Sequence, residues 1–174
     1  MNKKKKFLPH KDITGYYQFI TFRTHDSVDQ FVKKLAQQNL PKKKQQLAID
    51  QYLDQSSNGA YLNGEVLQLL NNYLKEKDNV IYELYCFCIM PNHVHLLIKP
   101  LTKLATVMQQ IKGGSAKLIN EKMGYKGKFW AREYYDKLIR DEKHFDVVYQ
   151  YIKNNPAVLN EAKASSPRFY SKYE

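Results

Sequence analysis

Between Tyr16 and Arg23 the chain reads Tyr-Tyr-Gln-Phe-Ile-Thr-Phe-Arg, a run of aromatic and β-branched residues that predicts a first strand ending near Thr24. A polar stretch follows, Val28 to Asp78. Within it Phe31 and Leu35, then Leu47, Ile49 and Leu53, then Val66, Leu69, Leu70 and Tyr73 recur at helical spacing and predict two or three helices. Ser56, Ser57, Asn58, Gly59, Asn63 and Gly64 place a loop at Ser56 to Gly64, before the last of them. Val80 to Met90 is a long β-like run, Pro91-Asn92 a turn, and His93 to Lys99 a returning strand that Pro100 stops, so the three form a hairpin. Leu104, Val107, Met108, Ile111, Leu118 and Ile119 put a helix across Leu101 to Met123, in which Gly113-Gly114 marks a bend or a close backbone approach. Phe129 to Ile139 reads as one more strand. Asp141 and Glu142 then open an amphipathic helix through Phe145, Val148, Tyr149 and Ile152, which ends before Pro156. This order predicts an α+β fold, an antiparallel sheet with helices on one side.

A length of 174 residues suits one domain. We divide it into a core over about 14–160, a basic N-terminal tail at 1–9 and a loose C-terminal tail at 160–174. No stretch approaches the roughly 20 uninterrupted apolar residues of a membrane-spanning helix. The lysine run Lys3 to Lys6 leads into Phe7, Leu8, Pro9 and His10 rather than into the apolar segment of a secretory signal. Two cysteines, Cys86 and Cys88, are too few and too close for a secreted disulfide framework. A cytoplasmic protein, nucleoid-associated in a bacterium, is the expectation.

Charge changes the picture more. Lys and Arg number 28 against 17 Asp and Glu, a formal net charge of +11, which favours a polyanionic partner. Fourteen tyrosines and eight phenylalanines, several beside cations as in Lys126 to Arg132, suit stacking on unpaired bases while cations hold the backbone. We therefore expect nucleic acid. Lys112, Lys117, Lys126, Lys128 and Arg132 are candidate phosphate contacts and Trp130 a candidate base-stacking ring, although a lone tryptophan after a turn is more often core.

Two features carry chemistry. In His93-Val94-His95 the residues i and i+2 of a strand project from one face, so both imidazoles stand side by side and could bind one divalent cation. A bare His-x-His is weak by itself, since two unrelated histidines on a polar face look the same. Tyr151 and Asn155, four apart, share one face of the last helix, so a phenol and a carboxamide oxygen can converge on one point. A phenol with a pKa near 10 is a poor nucleophile unless a cation stabilises charge on the phosphate it attacks, and a bis-histidine metal would supply that. His144 lies on the same helical face and could support the site, or simply pack or cap near the helix start.

Read together, Cys88-Ile-Met-Pro-Asn-His-Val-His-Leu-Leu97, Phe129-Trp-Ala-Arg-Glu-Tyr-Tyr-Asp136 and Tyr151-Ile-Lys-Asn-Asn-Pro156 resemble the single-tyrosine HUH transposases. Among these the chain is most similar to the REP-associated tyrosine transposases and their insertion-sequence relatives. The motifs run in that family's order and span Tyr16 to about Leu159. The resemblance implies a ferredoxin-like core with His93 and His95 on a central strand. It also implies Mg²⁺ or Mn²⁺ held by those histidines and Asn155, and Tyr151 as the nucleophile. In that scheme Tyr151 attacks single-stranded DNA beside an imperfect hairpin, leaving a 5′-phosphotyrosine linkage and a free 3′-hydroxyl that later rejoins strands in DNA transposition. No nucleotide cofactor is implied, and relatives occur as monomers and as homodimers. The long polar stretch before Val80 departs from the pattern.

Two other readings stand beside this one. With a two-residue turn at Pro91-Asn92, Cys88 would pair with His95 on one face and could help hold structural Zn²⁺; a three-residue turn would separate them. A domesticated, non-cutting module that binds DNA hairpins is the alternative of a different class.

Overall fold

The computed structural model describes residues 14–160 and 167–174. In chain order the elements are β1 (Gln18–Thr24), α1 (Asp29–Ala36), α2 (Lys42–Gln55), α3 (Gly64–Glu76), β2 (Tyr82–Ile89) and β3 (His93–Pro100). They continue with α4 (Leu104–Met123), β4 (Trp130–Leu138), α5 (Glu142–Asn154), a 3₁₀ turn at Asn155–Val158 and β5 (Phe169–Ser171). The strands form one antiparallel sheet in the order β4-β1-β3-β2-β5, which puts β3 at its centre. The fold class is thus α+β, as the order of patterns predicts. The polar stretch resolves into three helices, with the predicted loop between α2 and α3.

The helices do not all lie on one side, as the sequence pattern suggested. Ile20, Phe22, Leu84, Val94, Leu96 and Ile98 turn one sheet face to α3 and α4, through Leu67, Leu70, Leu74, Val107 and Ile111. Phe19, Cys86, Cys88 and Leu97 turn the other face to α5, through Val148 and Ile152. Helix α2 packs on α1 through Ile49, Leu53, Leu35 and Val28 and reaches over this second face near the histidines. A sheet covered on both faces needs apolar residues at consecutive positions of its central strands. Leu96-Leu97-Ile98 of β3, all fully buried, have that character.

No break in helix α4 occurs at Gly113-Gly114. The close approach does: a Cβ on Gly114 would collide with the Tyr73 hydroxyl, which reaches across from α3 to donate to the Gln110 carbonyl at 2.8 Å. The loose C-terminal tail is also corrected over its described part. Phe169–Ser171 add β5 to the outer edge of β2. The buried Arg168 guanidinium donates to the carbonyls of Leu62 (3.0 Å) and Ile89 (2.9 Å), and to Asn63 Oδ1 at 2.5 Å. Buried carbonyls and a carboxamide oxygen give this cation the acceptors that water would otherwise supply. The Lys3 to Lys6 run lies outside the described residues. Among the described residues no helix is long and apolar enough to cross a membrane.

Candidate metal centre and nucleophile

The hairpin turn fixes which way the histidines point. Ile89 pairs with Val94, Cys88 with His95, and the Met90 amide donates to the His93 carbonyl at 2.8 Å, so Pro91-Asn92 is a two-residue turn. Val94 faces the α3/α4 core, and His93 and His95 face the opposite layer, beneath α5 and α2. Their ring centroids are 4.8 Å apart, and both side chains are fully buried.

Each ring is held by its Nδ1. His95 Nδ1 meets Thr21 Oγ1 at 2.7 Å, from its cross-strand partner on β1. His93 Nδ1 meets Asn92 Oδ1 at 2.8 Å. The Asn92 amide in turn donates to the carbonyls of Leu53 (2.9 Å), Ser56 and Asn58 (both 3.3 Å), tying the hairpin turn to the end of α2. Both Nε2 atoms are buried without a hydrogen-bond partner. Burial pushes the His93 imidazole down to about 3 and holds His95 well below its usual range. Neutral rings with Nδ1 donating leave lone pairs on both Nε2 atoms, the state a metal ligand needs.

The carboxylate of Asp50, on α2, stands beside them: one oxygen of Asp50 and one nitrogen of each histidine all lie within 4.8 Å of one another. Asp54, one turn further along α2, places Oδ1 3.8 Å from His93 Nε2. The Asn155 carboxamide oxygen is another buried atom without a partner, while its nitrogen donates to the Tyr151 carbonyl at 3.3 Å. Unpaired buried acceptors are costly, and a divalent cation removes that cost. Two imidazoles with oxygen donors nearby therefore form a candidate site for a divalent cation. Cys88 shares the face with His95, but among the described residues no cysteine belongs to a cluster able to hold a metal. Burial raises both thiols, Cys86 to about 12, which fits small buried hydrophobes better than zinc ligands.

Helix α5 brings Tyr151 to this centre. Asp141 caps the helix by accepting from the His144 amide at 2.7 Å, and His144 Nδ1 accepts from the Arg140 amide, so His144 belongs to the helix start. The Tyr151 ring packs 5.3 Å from His95 and 5.9 Å from Phe19, and its hydroxyl donates to Asp50 Oδ2 at 2.8 Å. Burial and then the Asp50 charge push the phenol pKa up. Burial raises Asp50 to about 7 against the hydrogen bonds from Tyr151 and from Gln46, and raises Asp54 to about 6.

Beside Tyr151 a groove of about 600 Å³ opens between α2, β4 and α5, lined by Phe19, Leu47, Tyr135 and Val147 with Lys43, Lys137, Arg140 and Lys143 around it. None of the DNA-contact residues read from sequence lines it. Lys117, Lys126, Lys128 and Arg132 are exposed elsewhere. Lys112 is half-buried: its ammonium donates to the carbonyls of Ala131 (2.6 Å) and Arg132 (2.9 Å), and burial lowers it to about 8. Trp130 is corrected as a stacking platform: it is 4% exposed, lies edge-on to Phe22 and Phe129, and donates from Nε1 to Ser115 Oγ at 3.0 Å. No ring face remains for a base. Asp50, Asp54 and Asn92 were missed. Asp50 and Asp54 sit in a helix of mostly polar sequence, and only the four-residue spacing that puts both on one helical side hinted at a shared role.

The profile of the family described as "Transposase IS200 like" matches residues 41–155. An uncharacterized protein of Haemophilus influenzae is 34% identical over a match covering 40% of this chain and 52% of that one, so the match spans about half the length of this relative. The structure of a REP-associated tyrosine transposase bound to a REP hairpin superposes with a TM-score of 0.52 at 16% identity, covering 87% of this chain and 72% of that one. That likeness is one of fold.

Proposed function

Because the chain belongs to the IS200-like transposase family, we propose that it is a metal-dependent, single-strand DNA endonuclease and strand transferase that acts at or near hairpins, with Tyr151 as nucleophile. One observation carries the reading: two unpaired histidine Nε2 atoms and the phenol of α5 converge on one buried point, although Tyr151 and the histidines are far apart in sequence.

His93 and His95, with Asn155, would hold Mg²⁺ or Mn²⁺, and the bound cation would withdraw charge from the scissile phosphate. Thr21 and Asn92 fix the two rings through Nδ1, which would leave both Nε2 lone pairs for the cation. Asp50 Oδ2, already the acceptor of the Tyr151 hydroxyl, takes its proton as Oη bonds to phosphorus. The bond from phosphorus to the 3′ oxygen breaks, and that oxygen picks up a proton from solvent. The products are a 5′-phosphotyrosine linkage and a free 3′-hydroxyl, which rejoins strands by the reverse attack.

The alternative is a domesticated module that binds DNA hairpins without cutting. The two readings separate on a denaturing gel. Labelled single-stranded hairpins from the flanks of the gene are incubated with Mn²⁺ or Mg²⁺ and either wild type or Tyr151→Phe. A metal-requiring covalent adduct that disappears in Tyr151→Phe supports the transposase chemistry; tight hairpin binding with no nick supports the binder.

A further inference from the structure

We infer that the groove between α2, β4 and α5 is the seat of the unpaired DNA strand next to the phosphate that Tyr151 attacks. The inference rests on the proposed chemistry for its orientation but not for its chemical logic. The groove ends at Tyr151 and Asp50. Its floor is apolar and aromatic, from Phe19 and Tyr135, and its walls carry two large apolar side chains left in solvent, Leu47 at 49% and Val147 at 62% exposure. Around this floor stand four cations drawn from separate parts of the chain: Lys43 on α2, Lys137 on β4, Arg140 in the loop, and Lys143 on α5.

The acidic groups that share the groove are otherwise engaged. Asp141 caps α5, and Asp50 is buried and bonded to Tyr151 and Gln46. An apolar floor with a cationic rim matches one class of ligand, an unpaired strand whose bases lie on rings and aliphatic surface while its phosphates meet the rim. A duplex keeps its base faces stacked inside and offers nothing to such a floor. The sheet supports the placement. Tyr135, Thr21, His95 and Cys88 are cross-strand neighbours in a single row, so the aromatic floor continues into the candidate metal centre at the same level.

The test is binding of a fluorescent single-stranded oligothymidine across a salt series, without metal so that no strand is cut. Wild type is compared with Arg140→Glu/Lys143→Glu and with Lys75→Glu/Lys122→Glu, an equal charge change on the helices of the opposite sheet face. The groove variant is expected to raise Kd roughly tenfold and to flatten the plot of log K against log salt by about 0.7 for each phosphate that is no longer neutralised. The matched variant shows a smaller rise and an unchanged slope. Leu47→Ser/Val147→Ser, which leaves charge alone, weakens binding at every salt concentration with the slope unchanged. Equal losses in the two charge variants, or no oligothymidine binding by wild type at low salt, would overturn the assignment. Adduct formation is scored separately. Weakened groove binding in a protein that never forms an adduct leaves the groove standing and removes the cleavage reading.

Discussion

The Tyr151 hydroxyl and Asp50 Oδ2 are 2.8 Å apart, joining helix α5 to helix α2 across 101 positions of sequence. The pair holds the phenol beside His95 and gives its proton a destination. It also places a buried carboxylate where protonation is favoured. Asp50 is raised from the ordinary carboxylate range to about 7, so the folded, metal-free protein binds a proton there that the unfolded chain has released. The stability this contributes is present at low pH and is lost as pH rises through about 7. Asp50→Asn should therefore be more stable than wild type at pH 8 by a few kcal/mol at most, on the order of what a shift of that size implies, with the advantage shrinking toward pH 5. Denaturant unfolding without divalent cations at the two pH values measures it. The same variant should form adduct at least about 100-fold more slowly, the usual weight of a lost general base.

Divalent cation should raise the melting temperature of wild type in a saturable manner, since a ligand bound only by the folded state stabilises by mass action. His95→Ala should abolish that response, and adduct formation with it. Scanning calorimetry at rising Mn²⁺ checks this, and a response in His95→Ala equal to that of wild type would place the metal elsewhere.

Asn92 and Thr21 would support the proposed metal site by different routes. Thr21→Val removes the partner of His95 Nδ1, and the affinity for Mn²⁺ should fall about 10- to 100-fold. Asn92→Ala should do the same through His93 and in addition cost at least about 2 kcal/mol of stability, because three carbonyls at the end of α2 lose their donor. Titration calorimetry and chemical unfolding together separate the two effects.

Trp130→Phe should leave DNA affinity unchanged and lower stability by about 1 to 3 kcal/mol through the lost hydrogen bond to Ser115 Oγ and the smaller ring beside Phe22. Reduced oligonucleotide binding in a variant with wild-type stability would restore the ring to the DNA surface.

Local patterns made much of this legible. Two-residue alternation put His93 and His95 on one face, and the helical period put Tyr151 and Asn155 on another, because these relationships depend only on nearby backbone. The second helical layer was also within reach: Leu96-Leu97-Ile98 and Cys86-Phe87-Cys88-Ile89 are apolar without alternation, as strands covered on both faces must be. Asp50 was not. Gln45-Gln46-Leu47-Ala48-Ile49-Asp50 reads as an ordinary helix, and the burial of its carboxylate depends on a phenol a hundred residues away. Arg168 was hidden for the same reason, since its acceptors lie at Leu62, Asn63 and Ile89 while its own neighbours suggest a loose tail.

The strand that follows Arg168 decides more than how the chain is tied down. Without β5, the backbone of Cys86, Phe87 and Cys88 would form an open sheet edge between apolar side chains, a template on which a second copy could pair. Residues 167–174 therefore cover the β2 edge within the chain itself. A chain shortened at Leu159 should fail first by self-association, with apolar β2 edges meeting, before its active centre is lost.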